Sequence, residues 1–479
     1  ATANTKVKVY DRDRMVADFS WFEPPPAPAG QSFAAGGLLA QWRLEEILRA
    51  RLDSLGVVVE ADRALHGLRQ DDSGVRARVI DAAGAEHDID AAYVVGADGP
   101  DSTVRRLVQI GVAGSPTPAS APRATSPSGD DSQAYEADVV LQGLDRDDVT
   151  HFWYDGQHLT TLVANPGADT WSLQLADADG EAASVTNPGR PNRPTPRGCE
   201  AEFHRRTGWT HVRFTDVRWL STSPAISGVA DSFRVDRVFV AGEAAHPSAG
   251  MSGPDTGVHD AYNLGWKLAA VLRGAGEDLL DSYEYERQPA ARMRHTGRRV
   301  LPVPPRLLRT PVMRFRPLTR MALRRQLDRV SHLDLHYRDS RLSQELGGRQ
   351  VWPRAGERMP DARLWSPAHA AAVRLHEIFA GTHWTLIGLG SLTAEAIRAI
   401  ELQLGPAVRG EVIGGGLGRV PGVTLVDRFG DARQLLGRRG GSVLVVRPDG
   451  YLGLRCGATP NIIAAYLEDM VAPEAFARR

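Results

Sequence analysis

Apolar residues recur along the first quarter of the chain at spacings that predict mixed helix and strand. The segment 41–56, QWRLEEILRARLDSLG, has apolar residues at helical spacing and ends in a glycine, as many helices do. Three apolar runs after it predict strands, at 57–60, 75–80 and 92–95. This order of elements indicates an α/β fold.

The pattern changes in the middle of the chain. Short strand-like runs in 137–143 (ADVVLQG), 151–167 (HFWYDGQHLTTLVANPG) and 169–177 (DTWSLQLAD) are bounded by turn residues, which predicts an antiparallel sheet. Segments rich in proline and small polar residues flank this region. We expect 113–132 to be a linker or loop and 186–198 to be the boundary on the other side.

A buried-strand pattern returns at 237–242, RVFVAG, where a continuous apolar run predicts a strand covered on both faces. It leads into 242–268, GEAAHPSAGMSGPDTGVHDAYNLGWKL, in which glycines precede a helix. The residues expected to form the apolar face of that helix are Ala261, Leu264, Leu268 and Leu272. A strand, a glycine turn and a helix leave the first helical amides free to meet a ligand oxygen, although a structural turn without ligand has the same spacing.

The C-terminal part again predicts strands and helices. Strands are predicted at 384–390, 423–427 and 442–455, and a helix within 461–471. The stretch 412–422, VIGGGLGRVPG, looks like a phosphate-binding glycine turn. However, Arg419 occupies the third glycine position and Pro421 prevents an immediate helix, so we expect a loop.

Composition and charge exclude several classes of function. The 479 residues include 57 Lys and Arg against 58 Asp and Glu, so no global charge attracts nucleic acid or membranes. Twelve arginines and one acidic residue in 291–329 suit a patch that binds nucleic acid or an anionic membrane, but prolines and scarce aromatic residues favour solvated connecting helices. We therefore expect a helical linker over 296–350. The absence of a long apolar run and of a signal-peptide pattern predicts a cytoplasmic protein without a membrane segment.

Cysteine and histidine patterns do not predict a metal site or a disulfide framework. The two cysteines, Cys199 and Cys456, suit a reducing compartment. His332 and His336 have helical spacing but no third ligand near them. Aromatic residues of the middle region favour core packing over an aromatic pocket: Trp153, Tyr154, Trp171 and Trp219.

Three stretches occur in an order known from one family. They are 41–48 (QWRLEEIL), 93–108 (YVVGADGPDSTVRRLV) and 237–268, RVFVAG with the glycine-rich stretch above. Together they resemble the glutamine helix, the Asp-Gly motif and the second flavin signature of class A flavoprotein aromatic hydroxylases, the para-hydroxybenzoate hydroxylase type. The resemblance implies FAD and NAD(P)H as cofactors, with no residue assigned to catalysis. The residues it places at the cofactor are Gln41, Asp98, Gly99, Ser102, Arg105, Gly242, Glu243, Ala244, His246, Pro247, Gly250, Gly253, Asp255 and Thr256.

The resemblance also implies a domain plan. A Rossmann-like FAD-binding domain over 1–115 and 212–295 would be interrupted by a β-rich substrate-binding domain over 116–211. The tail, 351–479, with AGERMPDARL and VLVVRPDGYLGLR, is similar to the thioredoxin-like C-terminal domain of phenol hydroxylase and of aromatic polyketide hydroxylases. Without a Cys-x-x-Cys pair, we expect this domain to serve packing or oligomerisation, in a homodimer.

The implied activity is that of a monooxygenase. In the family NAD(P)H reduces the flavin and O2 supplies an oxygen atom to an electron-rich ring. The implied substrate is a small aromatic molecule, by the tail a polyketide-like polycyclic one, which is hydroxylated or receives an inserted oxygen. The chemistry belongs to the cofactor, and the protein positions the ring and excludes water.

The chain departs from the family in two places. The Gly-x-Gly-x-x-Gly turn that holds the FAD pyrophosphate should lie well before Gln41, yet only forty residues precede it. The resemblance therefore implies a Rossmann-like domain that is incomplete at its N-terminus in this sequence. One interpretation is a truncated flavoenzyme, which an initial Ala1 supports; the other is a degenerate homologue with weak or no flavin binding and a non-redox or binding role. Glu243 and Asp255 replace an aspartate and an asparagine of the family, and we expect both to disturb the flavin site.

Overall fold

The described residues of the computed structural model form two compact units. The structure describes residues 6–20, 39–113, 135–146, 149–154, 158–177, 195–222, 228–247, 255–296, 335–346, 352–415, 420–437, 440–468 and 470–471. Unit 1 takes in 1–24, 35–258 and 291–327, and unit 2 takes in 25–34, 259–290 and 328–479. Among the described helices, none combines the length and the apolar character needed to span a bilayer.

Unit 1 consists mainly of strands. Its strands are β1 (Lys6–Asp11), β2 (Arg14–Ser20), β3 (Arg63–Asp71), β4 (Gly74–Asp81), β5 (Glu86–Ala91), β6 (Val94–Gly96), β7 (Val112–Ala113), β8 (Tyr135–Gln142), β9 (Val149–Tyr154), β10 (His158–Ala164), β11 (Trp171–Asp177), β12 (Arg213–Thr222), β13 (Val229–Ala230), β14 (Arg234–Val235) and β15 (Val238–Val240). Its helices are α1 (Gln41–Ser54), α2 (Thr103–Leu107) and α3 (Pro196–Thr207), with a 3-10 turn at Gly242–Ala244. The helices α4 (Asp255–Val271) and α5 (Asp281–Thr296) contribute residues to both units.

The largest sheet of unit 1 has the order β12-β8-β11-β10-β9-β1-β2. Its pairs from β8 to β11 are antiparallel, which confirms the sheet predicted for this region. The sheet reaches beyond the predicted range 116–211 on both sides, because β1 pairs with β9 and β12 pairs with β8. Trp153 and Trp171 lie in its core as predicted, whereas Trp219 is 46% exposed and is not a core residue.

Helix α3 covers one face of this sheet. It begins at Thr195, whose hydroxyl accepts from the amide of Gly198, and it ends at Gly208 in the left-handed region with φ 74°. Residues 196–198, which we expected to belong to a boundary segment, are thus its first turn. Phe203 and Cys199 on α3 are fully buried against the sheet.

Two smaller sheets carry the remaining predictions for unit 1. The strand predicted at 75–80 is confirmed as β4, which pairs with β3 and β5, and the one at 92–95 is β6. The helix predicted at 41–56 is α1, although none of its residues is buried. The predicted strand at 57–60 is wrong. These residues are irregular and exposed, and no described strand pairs with this apolar run.

Unit 2 is built around a second large sheet. Its strands are β16 (Gln344–Glu345), β17 (Arg363–Ser366), β18 (Ala371–Arg374), β19 (Trp384–Leu389), β20 (Val408–Gly414), β21 (Leu425–Val426), β22 (Ser442–Val446) and β23 (Leu452–Gly457). Its further helices are α6 (Leu375–Phe379), α7 (Ala394–Leu404), α8 (Asp431–Leu435) and α9 (Pro460–Leu467), with 3-10 turns at Glu277–Leu280, Ser391–Thr393 and Gly405–Ala407. The strand order is β16-β23-β22-β19-β20-β21-β17-β18.

The predicted C-terminal elements are confirmed as β19, β21, β22, β23 and α9. The loop predicted at 412–422 is wrong at its start. Val412 and Ile413 end β20, because both are buried and pair with β19. Other predictions fall largely outside the described residues: those for 113–132 and 291–329, and that for His332.

The predicted apolar face of α4 is right only in part. Leu264 is buried and Leu268 is half-buried, whereas Ala261 is exposed and Leu272, just past the helix, is 62% exposed. Most of the buried residues of α4 are polar: Thr256, Asp260, Asn263 and Lys267, beside the apolar Leu264 and Val271. A polar face is buried here because charged side chains from α5 and from the β22–β23 turn meet it.

Candidate cofactor site

Two predicted motifs begin at the same edge of one sheet. Strands β6 and β15 are parallel neighbours, with Val94 opposite Val238 and Gly96 opposite Val240. The side chains of β15 are fully buried, as the continuous apolar run predicted. Because the carboxyl ends of parallel strands meet at one edge, the Asp98 loop and the Gly242 turn leave the sheet side by side. The amide of Ala241 donates to the carbonyl of Gly96 at 2.9 Å, which ties them together.

Asp98 organises the loop that follows β6. Its carboxylate accepts from the Ser102 hydroxyl at 2.5 Å and from the amides of Thr103 and Val104 at 2.7 and 3.1 Å. It therefore satisfies amides at the start of α2 that have no helical partner. Gly99 has φ +83°, a conformation that favours glycine strongly over other residues. The carboxylate therefore holds the loop in one shape.

Arg105 joins this loop to the second motif. Its guanidinium donates to the carbonyl of Ala244 at 2.7 Å and to that of Pro100 at 2.6 Å. The side chain is buried, and this burial lowers the pKa of Arg105. Two hydrogen bonds from one rigid group fix the separation of the two turns.

A contact between two glycines brings α4 to the same place. A Cβ atom added at Gly257 would lie 3.3 Å from the Cα of Gly242, and Gly242 has φ +60°. A Cβ atom at Gly257 would therefore require the Gly242 turn to shift slightly, whereas a Cβ atom at Gly242 would lie at an ordinary 3.6 Å from the Cα of Gly257. The helix begins at Asp255, and the first amides of a helix have no helical acceptor.

The remaining predicted residues are placed as follows. Ala244, His246 and Pro247 are buried, and Glu243 is half-buried beside them. Thr256 is buried in the first turn of α4. Gln41 lies on the exposed helix α1. Its described hydrogen bond does not reach this group, because its side-chain amide donates to Glu45 on the same helix. Gly250 and Gly253 lie outside the described residues, as does the side chain of Asp255.

Two glycines of the site were not predicted. A Cβ atom at Gly96 would lie 2.6 Å from the Cβ of Val104, so glycine is required for α2 to pack on β6. The sequence predicts Gly257 only as part of a glycine-rich run. Its position one turn before a buried helical face could have indicated a close packing contact, but the partner, Gly242, is fifteen residues away in sequence.

The arrangement suits an electron-rich, anionic cofactor. It offers a glycine turn and the start of α4 with the positive end of its dipole, which attract phosphate or a carbonyl-rich ring. The Gly242 turn and the first turn of α4, together called the cradle below, approach closely enough that a Cβ atom at Gly257 would lie 3.3 Å from the Cα of Gly242. Among the described residues, no group of His, Cys, Asp and Glu could hold a metal ion.

Comparison with known proteins agrees with this chemistry. A family model described as an FAD binding domain matches residues 27–296, more than half of the chain. A flavin-dependent monooxygenase of Mycobacteroides abscessus is 30% identical over 455 residues, 93% of this chain and 82% of the relative. A 6-methylpretetramide 4-monooxygenase of Streptomyces rimosus is 30% identical over 459 residues, 88% of this chain and 74% of the relative.

Solved structures show the same fold. The flavin-dependent monooxygenase PieE, in complex with FAD and substrate, superposes with a TM-score of 0.67. The match covers 97% of this chain and 87% of PieE at 20% sequence identity.

Proposed function

The chain belongs to the FAD binding domain family of flavin-dependent monooxygenases, and from that premise we propose the substrate, the reductant and the residues of its reaction. The proposed reaction is oxygenation of a polyketide-like polycyclic aromatic ring with NAD(P)H and O2. Its main support is the meeting of the Asp98 loop, the Gly242 turn and the start of α4 around one cradle. A relative from Streptomyces halstedii bears the name of a putative polyketide hydroxylase, which supports the substrate class.

We propose that the backbone of the Gly242–Ala244 turn and the first amides of α4 hold the flavin ring system. Glu243 would accept hydrogen bonds from the ribityl hydroxyls, and Gly99 would let the backbone approach the cofactor closely. Arg105 keeps the two turns at a fixed separation. Bound FAD supplies the redox chemistry, hydride uptake from NAD(P)H and reaction with O2. The chain itself binds, orients and excludes water.

We place the aromatic substrate against the face of the large sheet opposite α3. One part of this face is apolar, with Val9, Phe152 and Leu159 in one cluster. The neighbouring part is polar, where Gln174 donates to Glu136 at 3.1 Å. A surface that is apolar on one side and hydrogen-bonding on the other suits a flat ring system with oxygen substituents.

Purification and spectroscopy test the proposed function. The purified protein should carry FAD or bind added FAD, and a hydroxylated polycyclic quinone should accelerate its oxidation of NADPH or NADH. The product should contain one labelled oxygen atom when the reaction is run under labelled O2. A protein that neither contains nor binds FAD would contradict this proposal and favour the degenerate homologue.

A substitution tests the substrate face. Gln174→Leu should raise KM for the aromatic substrate and increase the share of NAD(P)H that yields hydrogen peroxide instead of product, because a ring without its hydrogen bond is poorly placed. Binding of FAD should be unchanged. An unchanged KM and an unchanged product yield would remove this face from the substrate site.

The domain plan, the assembly and the compartment remain proposals. We propose an FAD domain, a β-rich substrate domain that also takes in β1, β2 and β12, and a thioredoxin-like tail. We also propose a homodimer in the cytoplasm. Sedimentation of the purified protein at micromolar concentration tests the assembly, and a monomer would contradict it.

A further inference from the structure

A fully buried carboxylate, Glu286 on α5, collects hydrogen bonds from several segments of unit 2. It accepts from Asn263 at 2.7 Å and Lys267 at 2.9 Å on α4, and from the hydroxyl of Ser340 at 2.6 Å. It also accepts two bonds from Arg447 in the β22–β23 turn, at 2.7 and 2.9 Å. The side chains of Glu286, Lys267 and Arg447 have no exposed area. The cluster formed by these five residues and Asp449 is called the Glu286 cluster below.

The Glu286 cluster is balanced in charge and saturated with hydrogen bonds. Lys267 and Arg447 face Glu286 and Asp449, so two cations meet two anions. Asp449 accepts from Arg447 at 2.9 Å and from the Trp266 indole at 3.0 Å. One turn earlier on α4, Asp260 accepts from Arg287 at 2.7 Å, and Arg287 also donates to Tyr337. All these partners lie in unit 2.

Such a cluster fixes position better than it adds stability. Taking charges out of water offsets much of their attraction, so an apolar face would hold α4 about as firmly. However, an apolar face tolerates sliding and rotation. Bonds from Asn263 and Lys267 to the same carboxylate are satisfied at one axial position and one rotation only.

The same helix carries the cradle of the cofactor site. Gly257, which touches Gly242, precedes Asp260 by three residues, about 4.5 Å along a helix axis. A helix is rigid over that distance, so displacement at Asp260 and Asn263 displaces Gly257 and the rest of the first turn equally. The cradle has little spare room, because a Cβ atom at Gly257 would already lie 3.3 Å from the Cα of Gly242.

We propose that the Glu286 cluster positions the flavin through α4: Glu286, Lys267 and Arg447 act as positioning residues that set where the first turn of α4 meets the cofactor. Arg447 and Asp449 belong to the C-terminal region, 351–479. This inference rests on the proposed function of the cradle. It assigns a role to a region in which no dithiol exists.

The test compares two buried carboxylates in unit 2. Glu286→Gln removes the charge at the centre of the cluster. Asp361→Asn is the matched control, because Asp361 is equally buried and binds Arg374 at 2.5 Å and the amide of His376. Ser340→Ala is a milder variant that deletes one bond to Glu286 and no charge. FAD affinity, flavin midpoint potential and visible spectrum, thermal stability, and hydrogen exchange at the start of α4 are measured for each.

Glu286→Gln should weaken FAD binding by about tenfold, shift the flavin potential and spectrum, and speed exchange in the first turns of α4. Ser340→Ala should do the same to a smaller extent. Asp361→Asn should lower thermal stability with flavin properties and exchange at α4 unchanged. The inference is overturned if both carboxylate variants change the flavin in proportion to lost stability, or if neither changes exchange at α4. A wild-type protein that binds no FAD would instead overturn the proposed function, and exchange at α4 would still decide whether the cluster positions the helix.

Discussion

At the scale of single residues, the proposed cofactor site depends on the close approach of two glycines. Gly242 has φ +60°, where a side chain costs roughly 1–2 kcal/mol. Gly257 has an ordinary helical conformation, so its constraint is purely one of space: 3.3 Å from a new Cβ to the Cα of Gly242. The backbone there cannot move aside as a flexible side chain would.

Gly257→Ala should therefore separate stability from flavin binding. Alanine favours the helix by up to about 1 kcal/mol, which offsets the cost of the close contact, so the free energy of unfolding should change little. FAD affinity should fall about tenfold, because the Gly242 turn must shift. Gly265→Ala on the same helix is the control, since nothing lies within 4 Å of its new Cβ. It should raise stability and leave FAD affinity unchanged; equal FAD affinities in the two variants would contradict the role of the contact.

At the scale of elements, α4 shows how a helix can be predicted correctly and its buried face only in part. Apolar spacing identified the helix and the buried Leu264, but hydrophobicity alone also assigned the exposed Ala261 and Leu272 to the face. The buried polar residues, Asp260, Asn263 and Lys267, find their partners on α5 and in the β22–β23 turn. A single helix contains no signal for partners that far away in sequence.

Lys267 gives α4 a measurable dependence on pH. Burial, opposed by Glu286, lowers the pKa of Lys267 from 10.5 to about 8, with Arg447 and Asp449 also facing it. Between pH 8 and 10.5 the unfolded chain holds a proton that the folded protein has released. Stability therefore rises with pH in this window, by up to about 1.4 kcal/mol per pH unit from this group. Below pH 8 both states are protonated and the contribution is constant.

Urea unfolding at pH 7.5, 9 and 10 measures this effect. Lys267→Met removes the titrating group, so the free energy of unfolding of the wild type minus that of the variant should increase with pH. A constant difference over the three pH values would show that Lys267 keeps its ordinary pKa in the folded protein.

At the scale of the whole molecule, local sequence patterns predicted the strands that the fold buries. Strands β15, β19 and β22 were predicted correctly, and their apolar runs are buried. The run at 57–60 also begins with apolar residues but is exposed, so an apolar run alone did not predict a strand there. The cofactor residues on the two motif loops came from resemblance. Their mutual arrangement, through Arg105 and the glycine contact, required the fold because 139 residues separate Arg105 from Ala244.

The reactivity of the two cysteines can be used to follow the unfolding of each unit. Cys199 lies in unit 1 and Cys456 in unit 2, and burial raises the pKa of their thiols to about 12 and about 11. Neither should react with a thiol reagent in the native protein, because the thiolate is the reactive form. On heating, each thiol should become labelled only when its own unit opens.

Flavin release should coincide with labelling of Cys456. The part of α4 held by the Glu286 cluster belongs to unit 2, and we propose that its first turn holds the flavin. On that proposal, opening of unit 2 removes Asp260, Asn263 and Lys267 as anchors of α4 and releases the first turn from the flavin. Flavin fluorescence and mass-spectrometric labelling, followed along one temperature ramp, give the order of events. Full release of FAD while Cys456 is still protected would mean that the cradle opens on its own, and that unit 2 does not hold the helix at the cofactor.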